Sequence, residues 1–354
     1  MPLPYRRARY ALTFASLLAA TVALAFMFFP LIAEGQNTTI RTTVPLVIVP
    51  TSVADSKGRS IDGLTAADFV VLDDGVRRKV RVDASDQVIA PLDVVVVIQA
   101  SDMSRAALLK IRKVGIMIPE AVVGANGEAA VIQFDDKVKV LQNFTRNPDA
   151  IKQAFLAIKP SGSGDGHMLD AVSEALDLIN TRKGTPRAAI LVIGESKDRG
   201  SKTKLEPLLD KLQHAGTTVY GLSYSAYATP FTTSGGDYQD IIRNGGGDSG
   251  NFLLTSITEL ARLAKRNSMG ALVETSGGRR LSFETKGKLE NDLLALGKEV
   301  HSRYYISFTP EETDKPMFHT LRISVLGSVG AVVRARPGYW TGVAEAEEPQ
   351  GKQP

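Results

Sequence analysis

Three stretches concentrate the side chains that could do chemistry. The first follows an unbroken β-branched run, Val94, Val95, Val96, Val97 and Ile98, and reads Gln99, Ser101, Asp102, Met103 and Ser104. The second is the loop 161–167, with Ser161, Ser163, Asp165, Gly166 and His167. The third follows the apolar run 188–193 and reads Gly194, Glu195, Ser196, Lys197 and Asp198. Polar side chains and backbone N–H groups thus collect at the carboxyl ends of strands, where open α/β sheets place their ligands. Without a cation, hydroxyls and a lysine can bond a carboxylate from a partner.

Other chemistries fit less well. Gly162, Gly164 and Gly166 suggest a phosphate loop, but the third glycine spacing is wrong, Pro160 precedes them and no Lys-Ser/Thr pair follows. The stretch 194–198 resembles a nucleophile elbow, yet Asp198 stands where the second glycine is needed. His167, His214, His301 and His319 show no metal-ligand spacing, and His167 reads as a solvated loop histidine. Asp135 and Asp136 read as a turn. The basic residues Arg279, Arg280, Arg334 and Arg336 read as solvated faces, and Trp340 as a cap on the core.

The elements that must position these loops follow from periodicity. Continuous apolar runs such as 93–98 and 188–193 are strands buried on both faces, which belong to parallel sheets covered by helices. In open α/β sheets ligands gather at the carboxyl ends of such strands. Helical patterns cover 105–119, 149–158, 169–180, 204–213, 255–267 and 289–303, alternating with strands at 129–134, 137–141, 217–222 and 280–283. The fold class expected is α/β: a doubly wound, mostly parallel, Rossmann-like sheet flanked by helices over 91–342, with a core at 91–225 and a C-terminal helix and strands at 255–342. Three closing strands, 304–309, 319–325 and 331–337, are expected to extend that sheet antiparallel at one edge. The polar insertion 225–250 reads as a surface loop.

A small antiparallel β module is expected at 44–88. Its strand at 46–49 has Pro45 and Pro50 marking its ends or an exposed edge, Thr65 caps a helical turn, and Asp73-Asp74-Gly75 forms a hairpin turn. Before it, Arg6, Arg7 and Arg9 precede the apolar stretch 11–33, which marks 1–35 as a signal peptide or an N-terminal membrane anchor. Residues 36–43 read as a linker and 343–354 as a disordered tail. The 354 residues carry a net charge of +4 with signs intermixed and no basic, aromatic-laced tract, so nucleic acid is not the expected partner. The absence of cysteine excludes disulfides and thiolate zinc sites.

LDVVVVIQASDMS, FTRNPDAIKQAFLAIKPSGSGDGHMLDAVSEAL and PRAAILVIGESKDRGSK, in that order, resemble the von Willebrand factor type A family, in its exported bacterial form. ALVETSGGRRLSF, LLALGKEVHSRYYISFTPEE and HTLRISV with VRARPGYW resemble the same subgroup, and so does GRSIDGLTAADFVVLDDG in the small module. The resemblance implies an interaction or adhesion role. It also implies a metal-ion-dependent adhesion site, whose Asp-x-Ser-x-Ser positions read Gln99, Ser101 and Met103 here. The family's threonine falls at Gly166 and its later aspartate at Glu195. A neutral amide, a thioether and a glycine are poor substitutes for hard-cation ligands, so the site is expected to be degenerate and without a cofactor. Weak magnesium or manganese binding through Asp102, Asp165 or Asp198 is the alternative, and a hydrolase-like enzyme is a remoter one.

The expectation is therefore an exported, periplasmic, extracellular or membrane-anchored protein that is not an enzyme and binds an unidentified protein partner. Ser101, Asp102, Ser104, Ser163, His167 and Lys197 are the candidate contacts, and membrane contact is confined to 11–33. Fusing residues 1–33 to a reporter active only outside the cytoplasm should give signal, and a silent fusion would remove the exported assignment.

Overall fold

The β-branched run 94–98 lies in a strand with no exposed residue, and helices cover both of its faces. The computed structural model describes residues 46–84, 91–101, 105–182, 187–224, 267–311, 317–327 and 330–341, all within one compact unit. The segment expected to direct export (1–35), the expected linker (36–43), residues 225–250, nearly all of the helix expected at 255–267 and the expected tail (343–354) lie outside the described residues.

In chain order the first strands are β1 (Val47–Ala54), β2 (Phe69–Asp73), β3 (Val76–Arg78), β4 (Arg81–Ala84) and β5 (Leu92–Gln99). Helix α1 (Arg105–Val114) leads to β6 (Glu128–Phe134) and β7 (Val138–Thr145), then to α2 (Pro148–Ala157) and α3 (Met168–Asn180). Next come β8 (Arg187–Gly194), α4 (Leu205–Ala215) and β9 (Thr218–Ser223). The chain continues through α5 (Ser268–Thr275), β10 (Arg280–Ser282), α6 (Lys286–His301) and β11 (Tyr304–Phe308). It closes with β12 (Met317–Val325), β13 (Val332–Arg334) and β14 (Gly338–Thr341).

Among the described residues the main sheet has the order β10-β9-β8-β5-β6-β7, parallel throughout except for the β6–β7 hairpin at one edge. Successive side chains of a strand point to opposite faces. Val94, Val96 and Ile98 therefore pack with α1, α2 and α6, while Val95 and Val97 pack with α3, α4 and α5. Fully burying each such side chain is worth about 1.5–3 kcal/mol, so β5 demands helices on both faces. This is the expected doubly wound α/β sheet.

Local chemistry sets the element ends. The Asn147 side chain caps α2 by accepting from the Asp149 and Ala150 amides at 2.9 and 3.4 Å. Gly216, at φ 60°, ends α4 in the left-handed region. The helix expected through residue 119 stops earlier, because Gly115 packs directly under the Phe155 ring and Pro119 opens a separate wide turn. Helix α5, capped by Asn267, was not legible as a separate element from periodicity.

The three closing strands differ from expectation. They do not extend the main sheet. Strand β11 lies between β1 and β4, and β13 pairs with the far end of β1, giving a sheet of order β13-β1-β11-β4. Strand β12 lies between β2 and β14, giving β14-β12-β2-β3. The two sheets share a core of Val47, Val49, Phe69, Val71, Tyr304, Ile306, Phe308, Leu321 and Tyr339. The small module is thus completed by the end of the chain. Its strands alternate buried and open positions, the pattern of one-faced antiparallel sheets. Pro50 does not end β1. It has the same parity as Ile48, whose carbonyl turns away from β11 to accept from Arg336 Nη2 at 3.0 Å, so the missing N–H costs no ladder bond.

The basic residues read as solvated faces are mostly packed. Arg279 Nη1 lies 3.2 Å from the buried Glu299 carboxylate, which also accepts from Ser52 Oγ at 3.0 Å. Burial pushes the Arg334 guanidinium below its ordinary value and that of Arg336 down to about 10. Buried Arg303 donates to Thr218 Oγ1 and the Gly277 carbonyl at 2.7 and 2.8 Å. These contacts tie β9 and α6 to the strands of the sandwich. Removing one partner of a buried charge pair strands the other. Glu299→Ala should therefore lower stability by about 3 kcal/mol in urea denaturation, and a loss under about 0.5 kcal/mol would show the pair to be dispensable.

Candidate functional site

Strands β5 and β8 run side by side in parallel with Ile98 opposite Ile193, so Gln99 and Glu195 leave the sheet at nearly the same level. Both are buried, at 1% and 7% exposure. The Glu195 backbone N–H donates to Gln99 Oε1 at 2.7 Å. A backbone N–H can only donate, so that bond fixes the amide's orientation. Gln99 Nε2 must then face inward, where it donates to Ser101 Oγ at 3.0 Å and to Glu195 Oε2 at 3.4 Å.

Two glycines make room for this amide. A Cβ on Gly166 would lie 2.7 Å from Gln99 Nε2, and one on Gly194 would lie 2.9 Å from Oε1. Gly166 is itself held by a two-way backbone bridge to Arg199, at 3.1 and 3.0 Å. That bridge brings Arg199 Nη2 to 3.5 Å from Glu195 Oε2. The carboxylate is thereby matched by a guanidinium and an amide from the chain itself.

The donors among the described residues do not fit a hard cation. Nε2 presents hydrogens where a metal would need a lone pair, and Gly166 brings no side-chain ligand, its carbonyl already accepting from the Arg199 and Met168 amides. Asp198, a possible substitute ligand, faces elsewhere. Its Oδ1 accepts from the Leu169 amide at 3.0 Å and the Ser201 hydroxyl at 2.6 Å, while Oδ2 accepts from the Ser201 amide at 3.4 Å. Asp170 returns the arrangement, accepting from the Lys202 and Thr203 amides at 3.1 and 2.8 Å. Burial pushes the Asp170 carboxyl up, but hydrogen bonds from Thr203 and Lys202 and the nearby His167 ring outweigh it and hold it below the usual value. The first amides of α3 are therefore already bonded within the chain and are not offered to a partner's carboxylate.

The predicted residues thus fall into groups. Gln99, Ser101, Gly166 and Glu195 come together. Ser101 is fully buried and turned to Gln99, so its hydroxyl does not reach a partner, contrary to expectation. Asp102, Met103 and Ser104 lie outside the described residues. Ser163 is half-buried, with its hydroxyl accepting from the Asp165 amide at 3.1 Å, and Lys197 is exposed. His167 is not a solvated loop histidine. It is 16% exposed, 3.6 Å from the Asp170 carboxylate, and a Cβ on Gly200 would lie 2.6 Å from its Nε2.

Sequence reasoning missed Arg199, Asp170 and Ser201 here, and a separate acidic cluster with His319 in the sandwich. The cluster's one signal was the Asp73-Asp74 pair, which read only as a turn. If the Gln99 amide fills the space beside Gly166, then Gly166→Thr should destabilise the chain by about 1–3 kcal/mol. That cost should shrink in a Gln99→Ala background. Equal losses in both backgrounds would show that the amide does not occupy the space.

No protein-family profile matches the chain, and no curated protein is similar to it. Solved structures are similar to it. One is a von Willebrand factor type A protein from Catenulispora acidiphila, 10% identical, with a TM-score of 0.44 over 84% of this chain and 75% of that one. A second is the conserved hypothetical protein BatB from Bacteroides thetaiotaomicron, 12% identical, with a TM-score of 0.39 over 60% of this chain and 100% of the other. A third is the vWF domain of the type V pili tip protein Mfa5 from Porphyromonas gingivalis, 12% identical, with a TM-score of 0.38 over 64% and 99%. The chain is similar to von Willebrand factor type A proteins in fold, and the likeness is one of fold alone.

Proposed function

We propose that this chain is an exported, non-enzymatic interaction protein that takes a protein partner at the carboxyl edge of its main sheet without a metal ion. The observation that carries the reading is the inward-facing Gln99 amide, which meets Ser101 and Glu195 where a cation's ligands would converge. Arg199 supplies the positive charge that Glu195 needs.

One stretch of the rim of the same face is basic, beside the exposed Asp165 of the neighbouring loop. Lys197, Lys202 and Lys204 are exposed on the segment after β8, and Asp198 between them is occupied in capping α3. Exposed lysines around a neutralised floor suit an acidic partner segment, and they favour its approach more than they add to its affinity. Because the α3 amides are already bonded, attraction would come from these side chains and not from the helix end.

The test is photo-crosslinking from position 165, on the neighbouring loop, in cells that make the chain, with and without the double variant Lys197→Glu/Lys202→Glu. A trapped protein should be lost in the variant and retained in the presence of a chelator. Retention in the variant would place the interface elsewhere, and loss with chelator alone would favour a metal-dependent adhesion site.

A further inference from the structure

We propose that Asp73, Asp74 and His319, in the β-sandwich, hold a divalent cation of the zinc class. Each offers one ligand atom, and the three atoms lie within 4.8 Å of one another. Asp73 ends β2, and Asp74 is the next residue, in the turn to β3. His319 comes from β12, which pairs with β2 with Leu321 opposite Asp73. The site is therefore assembled from chain ends about 245 residues apart, the separation of the Asp74–His319 contact.

The balance of donors and acceptors points to a cation. His319 Nε2 lies 2.9 Å from Thr341 Oγ1, whose own hydroxyl donates to the Met317 carbonyl at 3.3 Å. With a cation in place of the Nδ1 proton, the ring donates through Nε2–H to Thr341 and Nδ1 offers a lone pair. Nδ1 lies 2.9 Å from Asp74 Oδ2 and 3.7 Å from Asp73 Oδ1. The three ligand atoms thus converge on one point, where the ring's single Nδ1 position faces two carboxylate oxygens. Asp73 is fully buried, and its Oδ1 has no hydrogen-bond partner, while Oδ2 takes Arg78 Nε at 2.9 Å and Tyr339 O–H at 3.1 Å. A buried carboxylate oxygen left without a donor is costly unless something positive sits against it.

The surroundings are those of a built site. A metal-bound imidazole characteristically donates its other N–H to an oxygen acceptor, and Thr341 Oγ1, 2.9 Å from Nε2, is placed to take that bond. Its ring also stacks on Tyr339 at 5.0 Å, which fixes its plane. Asp74 Oδ1 accepts from the Thr320 amide and hydroxyl at 2.8 and 2.9 Å, leaving Oδ2 aimed at the centre. Asp74 stands at φ 47°, a left-handed position that aspartate tolerates in a turn before glycine. Its side chain is 36% exposed, so a cation can enter from that side and keep a water there. One imidazole nitrogen and two carboxylate oxygens select zinc and its first-row neighbours over magnesium or calcium, which prefer oxygen alone.

The test is calorimetric titration of the purified full chain with zinc chloride, with cobalt(II) absorption as a spectroscopic readout. One equivalent should bind. Asp74→Asn and His319→Gln should each weaken binding at least tenfold, while Glu195→Ala and His214→Ala leave it unchanged. No zinc binding, or binding lost only with Glu195→Ala or His214→Ala, would overturn the proposal. If His319→Gln does not fold, Asp74→Asn decides, since its carboxylate faces solvent: full-strength binding in that variant also overturns it.

Discussion

The bond from the Glu195 amide to Gln99 Oε1 sets the character of the sheet's carboxyl edge. Once it forms, the amide's hydrogens must point to Ser101 and Glu195. Leaving either group unsatisfied in a buried setting would cost about 1–3 kcal/mol, more than the roughly 1 kcal/mol an average hydrogen bond contributes. That asymmetry propagates outward. The amide needs the volume that side chains at 166 and 194 would take, so both are glycine. Gly166 in turn holds the Arg199 backbone, which brings the guanidinium to Glu195.

Much of this was legible before any coordinates. Residues 93–98 and 188–193 announced themselves as doubly buried strands because no polar residue interrupts them, apart from Asp93 at the entrance. That exception is answered by Arg182 Nε at 2.8 Å. The closing strands were misplaced for a reason that the sequence also carries. LRISV in β12 alternates, so only one of its faces can be buried, and such a strand suits a sandwich better than the edge of a sheet covered on both sides. What periodicity cannot supply is the partner. Val47 meets Phe308 across more than half the chain, and nothing local in either stretch encodes that pairing.

The site was legible in its residue types and opaque in its contacts. Gln99 and Gly166 could be seen to carry no carboxylate or hydroxyl. That Arg199 answers Glu195, or that Asp198 and Asp170 exchange amide bonds across α3 and the loop after β8, depends on contacts between segments about 30 residues apart. Charge composition misled in the same way. Arg279, Arg303 and Arg336 look like surface residues by type, yet each spends its hydrogens on groups in another layer. A guanidinium keeps its charge when buried and offers several donors in a plane, so it can serve as a connector where a lysine could not.

The same accounting separates the two acidic clusters. Around Glu195, the chain supplies an amide N–H pair, a backbone bridge and a guanidinium, so donors meet acceptors without help from solution. Around Asp73, Arg78 and Tyr339 satisfy one carboxylate oxygen only. The ring of His319 stands between Thr341 Oγ1 and Asp74 Oδ2, 2.9 Å from each. Among the described residues the first cluster meets its carboxylate with donors from the chain, and the second leaves a buried carboxylate oxygen without one. At the sheet edge Gln99 and Arg199 supply donors to the Glu195 carboxylate, while in the sandwich the buried Asp73 Oδ1 has none, in a region whose residues suggested nothing but a turn.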